Sequence, residues 1–248
     1  MKKNVLLIAI LASVGLYAQG GGDSAVFGSP TNSVGLVEAE YNTIEFNNLD
    51  ISKIDGFASI RDFDDMRFSK APVDGTVLLF DKWENQGVIE VEDKRYVFSN
   101  MNYHVKRATF MSKIDNDSVV SFDLSTFNRI VINDMSFKSI YNPAKRANET
   151  FQVIYEGEDF SILKTYSVEV REANPNPMIN RGKTKIMKKS AYFMQKDNTI
   201  KPLKLKKKSL LGLAGDRSEE MMKYAKKNKL SFKRDEDVTK LFTNIMNK

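Results

Sequence analysis

The feature that most limits this chain is the string of short apolar, β-branched and aromatic runs between Gly75 and Glu172. Each is closed by a polar turn, and no helix-length segment lies between them. Side chains of a strand point alternately to its two faces, so a half-buried strand repeats with period two. The run 160–170 (FSILKTYSVEV) carries this signal most strongly. Phe160, Ile162, Lys164, Tyr166, Val168 and Val170 alternate with Ser161, Leu163, Thr165, Ser167 and Glu169. One face of that strand is expected to be buried and the other mostly solvated.

The same reading predicts strands at 75–80 (GTVLLF), 87–91 (GVIEV), 94–99 (KRYVFS), 103–114, 118–122 (SVVSF), 129–132 (RIVI), 136–141 (SFKSIY) and 150–155 (TFQVIY). Residues that favour tight turns separate them, among them Glu92 and Asp93, Asp115 to Asp117, Asn133 and Asp134, and 156–159. A single strand over 103–114 would put Tyr103, Val105 and Arg107 on one side and His104, Lys106 and Ala108 on the other. Two further strands are predicted at 189–196 and 199–205. Connections this short exclude parallel crossovers. The fold class that follows is mainly β, a β-rich α+β chain. Its antiparallel meander bends into an open barrel or sandwich and is completed by two or three short C-terminal helices.

Four regions are expected: a signal peptide over 1–18, a flexible lead-in with early strands over 19–72, an antiparallel β domain over 73–205, and a helical segment packed on the sheet over 206–248. Within the lead-in, 34–40 and 43–46 could be strands. In the helical segment, 209–214 ends at Gly215, and Asp216 or Ser218 caps a second helix. That helix has Glu219 and Glu220 in its first turn and Lys226 and Lys227 in its last. Its apolar side is Met221, Met222, Tyr224 and Ala225. A third helix over 235–246 lines up Val238, Leu241, Phe242 and Ile245 at spacings of three and four.

Lys2 and Lys3 precede an apolar run from Val5 to Val14, and Leu16, Tyr17 and Ala18 follow, the layout of a cleavable leader. The run is shorter than the roughly 20 residues that span a bilayer, so no transmembrane span is expected after cleavage. Export to the periplasm or beyond is the expectation. The chain has no cysteine, so it forms no disulfide and is not a cysteine-anchored lipoprotein. Its stability must come from burial, and about 230 residues suffice for that.

No constellation for catalysis, cofactor or metal stands out, and none is assigned. His104 is the single histidine, no Gly-x-Ser-x-Gly accompanies it, and thiols are absent, so hydrolytic triads and zinc sites lack their parts. The acidic stretch 61–67 lacks the glycine and terminal glutamate of a calcium loop and reads as a solvated loop. Trp83 with Tyr103, or the loop 174–181, could line a ligand pocket, although a lone tryptophan near a turn more often packs on a sheet edge.

Charge is unevenly spread. Residues 181–208 hold eleven basic side chains against Asp197 alone, a net of +10, and 209–248 hold nine basic against six acidic. The segment 19–180 then carries −9. The candidate surface for an anionic partner is Arg181, Lys183, Lys185, Lys188, Lys189, Lys204, Lys206, Lys207 and Lys208. The partner would be an anionic envelope component or an acidic protein; nucleic-acid motifs are absent, so no specific nucleic acid is expected. The competing reading makes these lysines the outward side of two strands, snorkelling over the sheet.

Three features together resemble secreted and envelope proteins of Bacteroidota, flavobacteria above all: the leader ending in Tyr17, Ala18 and Gln19, the lysine-rich aromatic strands, and the segment 227–241 (KNKLSFKRDEDVTKL). The resemblance implies an envelope or secreted location and transfers no catalytic residue. The expected function is that of a non-enzymatic envelope or secreted binding or structural protein. The alternative is a hydrolase or small-ligand carrier with a pocket inside the sheet.

Overall fold

Where turn formers join two alternating runs, the runs pair as hairpins, because antiparallel neighbours satisfy each other's backbone groups at the smallest loop cost. The computed structural model describes residues 42–45, 58–63, 73–91, 94–173 and 183–246, within the compact unit Asn32–Lys248. The predicted signal peptide, the strand at 34–40, most of the acidic stretch 61–67, the Glu92–Asp93 turn, the loop 174–181 and Arg181 lie outside the described residues.

The strands are β1 (Asn42–Glu45), β2 (Ala58–Asp62), β3 (Gly87–Val91), β4 (Lys94–Phe98), β5 (Met101–His104), β6 (Thr109–Lys113), β7 (Ser118–Phe122), β8 (Arg129–Ile132), β9 (Met135–Asn142), β10 (Ala147–Glu156), β11 (Ser161–Arg171), β12 (Lys185–Lys196) and β13 (Thr199–Leu203). Nine form a larger sheet in the order β1-β4-β3-β8-β9-β10-β11-β12-β13, and four a smaller one in the order β2-β7-β6-β5. The protein is mainly β, and both sheets are open. Every described strand pair is antiparallel except β1 with β4, which run parallel. Three helices follow: α1 (Lys207–Ala214), α2 (Ser218–Lys227) and α3 (Asp235–Met246).

Turn chemistry holds where the sequence placed it. Asn133 and Asp134 adopt φ of 47° and 65°, the left-handed pair that a two-residue hairpin requires. The Asp115 carboxylate accepts the N–H groups of Asp117 and Ser118, each at 2.8 Å. Gly215 closes α1 at φ +55°.

Three expectations need correction. The stretch 61–67 does not begin as a loop: Arg61 and Asp62 end β2, opposite Val119 and Ser118 of β7. The run 103–114 is not one strand: β5 and β6 pair as a hairpin, His104 opposite Thr109, around a turn with Ala108 at φ 52°. His104 is buried and closes this turn, its Nδ1 and carbonyl oxygen both accepting the Arg107 N–H at 3.1 and 3.2 Å. The turn contains no glycine, proline, asparagine or aspartate, so composition gave no sign of it.

The run 75–80 is also not a regular strand. It crosses the free edge of β5 irregularly, with Leu79 donating to the Tyr103 carbonyl at 2.8 Å and Val105 to that of Val77 at 2.9 Å. Asn102, fully buried, supplies what a ladder would have supplied. Its amide donates to the carbonyls of Phe80 (2.9 Å) and Lys82 (3.0 Å), and its oxygen accepts from the N–H groups of Phe80 and Tyr103. Asn85 does the same one turn on, donating to Lys82 and Met101 and accepting from Asn133.

The core divides in two along one face of the larger sheet. Ile89, Tyr96, Phe98, Ile130, Ile132 and Phe137 meet Met101, Tyr103, Phe110, Val120 and Phe122 of the smaller sheet, a sandwich. Further along, Ile154, Tyr155 and Ile162 meet Leu210, Met221, Ala225, Val238, Leu241, Phe242 and Ile245 of the helices. The apolar stripe predicted for α3 is buried throughout. In α2 only Met221 and Ala225 are buried, Met222 is 41% exposed, and the residue before the helix is Arg217, which makes no side-chain cap. At the start of α3, Asp237 accepts from the Ser231 N–H (2.8 Å) and the Arg234 guanidinium (2.6 Å). Burial pushes its carboxyl up, but these two donors outweigh it and hold the group below the ordinary carboxylate value.

β11 forms as a strand, but its burial alternates less sharply than predicted. Of the face expected to be buried, Ile162 alone is fully so, and Phe160, Lys164, Tyr166, Val168 and Val170 are half-buried. Ser161, Thr165 and Glu169 of the other face are half-buried too. Leu163, on the side expected to be solvated, is buried, because Phe193 sits opposite it on β12 and Phe193 in turn contacts the Phe151 ring at 5.9 Å.

Candidate functional site

Cross-strand register decides which charged side chains can meet. On the face away from the helices an alternating chain of ions spans five strands: Arg95 to Glu90 (3.0 Å), Glu90 to Arg129 (3.7 Å), Arg129 to Glu156 (3.6 Å) and Glu156 to Lys138 (2.6 Å). Opposite charges on neighbouring strands stabilise a sheet from outside. None of these residues stood out in the sequence, since their spacing there follows no pattern.

On the inward face, between the two cores, lies a polar seam. The Lys164 ammonium is 2.6 Å from Asp235 at the start of α3, and it sits over the rings of Tyr166 (4.8 Å) and Tyr192 (5.3 Å). The Tyr192 hydroxyl donates to the other Asp235 oxygen at 2.8 Å, and the Tyr166 hydroxyl donates to Gln152. Burial, reinforced by the Asp235 charge, pushes both phenols above their ordinary value. Both carboxylate oxygens are occupied and both hydroxyls stay protonated, so the seam pins α3 to β11 and β12 rather than offering a nucleophile. A sequence signal for it existed: Lys164 stands on the apolar side of the strongest alternation.

The basic stretch is divided by the fold. Lys185 and Lys189 face outward on β12, where Lys189 and Arg171 flank Glu169 at 3.3 and 2.9 Å and lower its carboxyl, the Arg171 hydrogen bond most. Lys188, one residue away, points to the opposite face. It donates to the carbonyls of Leu78 (3.2 Å) and Leu79 (3.0 Å) and to Asp81 (2.9 Å), which lowers the Asp81 carboxyl. Lys183 is exposed just before β12.

The remaining members, Lys204, Lys206, Lys207 and Lys208, lie along one margin of the molecule, and Lys196 and Lys201 join them there. Among the described residues β13 is the last strand of the larger sheet, paired with β12 alone, and the chain passes from it directly into α1. All six lysines are exposed, and among the described residues none has a carboxylate within ion-pair distance. Asp197 is the lone acid in the stretch. Lys206, Lys207 and Lys208 flank and open α1, whose first turn has no acid and no side-chain cap. Positive charge at a helix N-terminus opposes the macrodipole by about 0.3–1 kcal/mol per residue, so this placement costs local stability. The charge run was visible in the sequence, but the margin was not, because its geometry comes from β13 being terminal.

Trp83 and Tyr103 do not meet. Trp83 packs with Phe63, Met111 and Val119, whereas Tyr103 stacks on Phe110 and Phe137 at 4.6 and 5.8 Å. A small open cleft at the β12–β13 hairpin is lined by Met194, Lys196, Asp197, Thr199 and Lys201. Among the described residues no three metal-ligating side chains converge, and no helix is long and apolar enough to cross a membrane.

No family model, curated protein or solved structure matches this chain. The reading of the site therefore rests on its own chemistry.

Proposed function

We propose that the protein is exported and works as a non-enzymatic binding protein of the envelope or the medium, holding an anionic partner against its β12–β13–α1 margin by summed charge. One observation carries this reading. Among the described residues six exposed lysines gather on this margin without a carboxylate partner, whereas Arg95, Arg129, Lys138, Lys164, Lys188 and Lys189 on the faces of the larger sheet are paired and Lys185, which faces outward on β12, is not. Unneutralised charge retained against a local stability cost is the mark of a surface selected for contact. The ring-filled space between the sheets, with Phe122 against Phe98 and Phe127 and Phe110 against Phe137, favours a surface over an enclosed pocket. Export is supported by the leader-like residues 1–18.

The test uses inorganic polyphosphate as a generic polyanion and measures its affinity for the processed protein as salt is raised. Six lysine contacts on a chain of DNA-like charge density predict a loss on the order of a thousandfold between 50 and 200 mM salt. An affinity indifferent to salt, or none at low salt, would remove the basis of the proposal.

A further inference from the structure

We infer that the partner of this margin is the anionic headgroup layer of a lipid leaflet, on which the protein docks peripherally. The inference rests on the binding reading just given and narrows it to one class of surface.

Four observations select a lipid layer. All six basic residues are lysines. An ammonium is a compact, hydrated point charge on a flexible stem, suited to diffuse attraction, whereas the planar fork of arginine suits paired recognition of one carboxylate or phosphate. The rings near the margin are also engaged elsewhere. Tyr192 lies against Lys164, and Phe193 packs on Phe151, so no aromatic platform is left for stacking nucleobases. β13 is moreover a poor template for another protein's strand. Pro202 lacks an N–H, and Lys201 and Lys204 flank the edge, the means by which exposed strands resist pairing.

The fourth observation is spread. From Thr199 to Lys204 the backbone advances about 17 Å at the rise of an extended strand, and α1 carries the charge beyond that. A distributed row of single charges matches an extended layer of headgroups better than one compact anion. Of the described large apolar side chains, the exposed ones are Tyr141 and Met222, and neither is on this margin. The contact is therefore electrostatic, without insertion, and reversible by salt.

The experiment is co-sedimentation of the processed full chain with vesicles of phosphatidylcholine alone and of phosphatidylcholine mixed with phosphatidylglycerol, with polyphosphate binding measured in parallel. Binding to the mixed vesicles only is expected. Each lysine removed should lower partitioning by about fivefold, so K201E/K204E and K206E/K207E should nearly abolish it, and K82E/K106E should leave it unchanged. Should a charge reversal disturb folding by circular dichroism, the lysine-to-glutamine versions replace it, with a smaller loss of the same order. Wild-type protein that binds polyphosphate but ignores mixed vesicles would overturn the lipid assignment and leave the anion-binding margin standing. Binding to neither would remove both. Vesicle binding untouched by the margin variants would overturn the inference by locating the contact elsewhere.

Discussion

Tyr103 shows how much one side chain can tell about the interior. It is 3% exposed, stacked between Phe110 and Phe137, and burial pushes its phenol up to about 12, with a hydrogen bond to Thr150 pulling part of the way back. The folded state thus favours the protonated phenol more than the unfolded chain does, where it titrates near 10.0. That preference is fully present below pH 10 and is lost as pH rises toward the folded value. Stability is expected to fall steeply between about pH 10 and 12, measured by urea unfolding across that range with phenolate absorbance read alongside. Tyr103→Phe should flatten the fall. An unchanged slope in the variant would assign it to other groups.

At the scale of elements, the Lys164–Asp235 pair decides where α3 begins on the sheet. Its lysine is 13% exposed and its aspartate 24%, between the surface pairs that contribute little and the buried ones that are costly to break. Lys164→Met alone leaves a half-buried carboxylate with the Tyr192 hydroxyl as its remaining side-chain donor, and should destabilise by about 2 kcal/mol. Adding Asp235→Asn should recover part of that loss. A double-mutant cycle of chemical unfolding is expected to give a coupling of about 1–2 kcal/mol, and additivity of the two changes would show that the pair does not pin the helix. The broken hairpin at 105–108 belongs to this scale too: a strand-like sequence turns because His104 holds the Arg107 N–H, a contact between side chain and backbone that alternation cannot express.

For the whole molecule, the two cores on one face of the larger sheet imply separable stability. Phe242 is fully buried among Tyr155 and Phe160, at 5.2 and 5.8 Å between rings, and belongs to the helical core alone. Phe242→Ala should cost about 3–5 kcal/mol. Hydrogen exchange should speed up in α1 to α3 and the adjoining ends of β10 and β11, while β5 to β7 keep their protection. Equal acceleration everywhere would mean that the sandwich and the helical half unfold as one unit.

The sequence by itself determined most of the strands, most turns and all three helices, because those depend on residues near one another: period-two alternation, left-handed turn residues, and apolar stripes at helical spacing. It missed β2 and the break between β5 and β6. It also showed that charge was concentrated near the C-terminal third. It could not tell that 75–80 would lie across the edge of β5, since the asparagines that hold it act from 102 and 85. Nor could it give Lys188 and Lys189 their partners, Asp81 and Glu169, which are brought beside them by segments distant in the chain. Which strand ends the sheet, and hence which lysines share a margin without carboxylates, was decided only when distant segments paired, because register and sheet order are properties of contacts between segments.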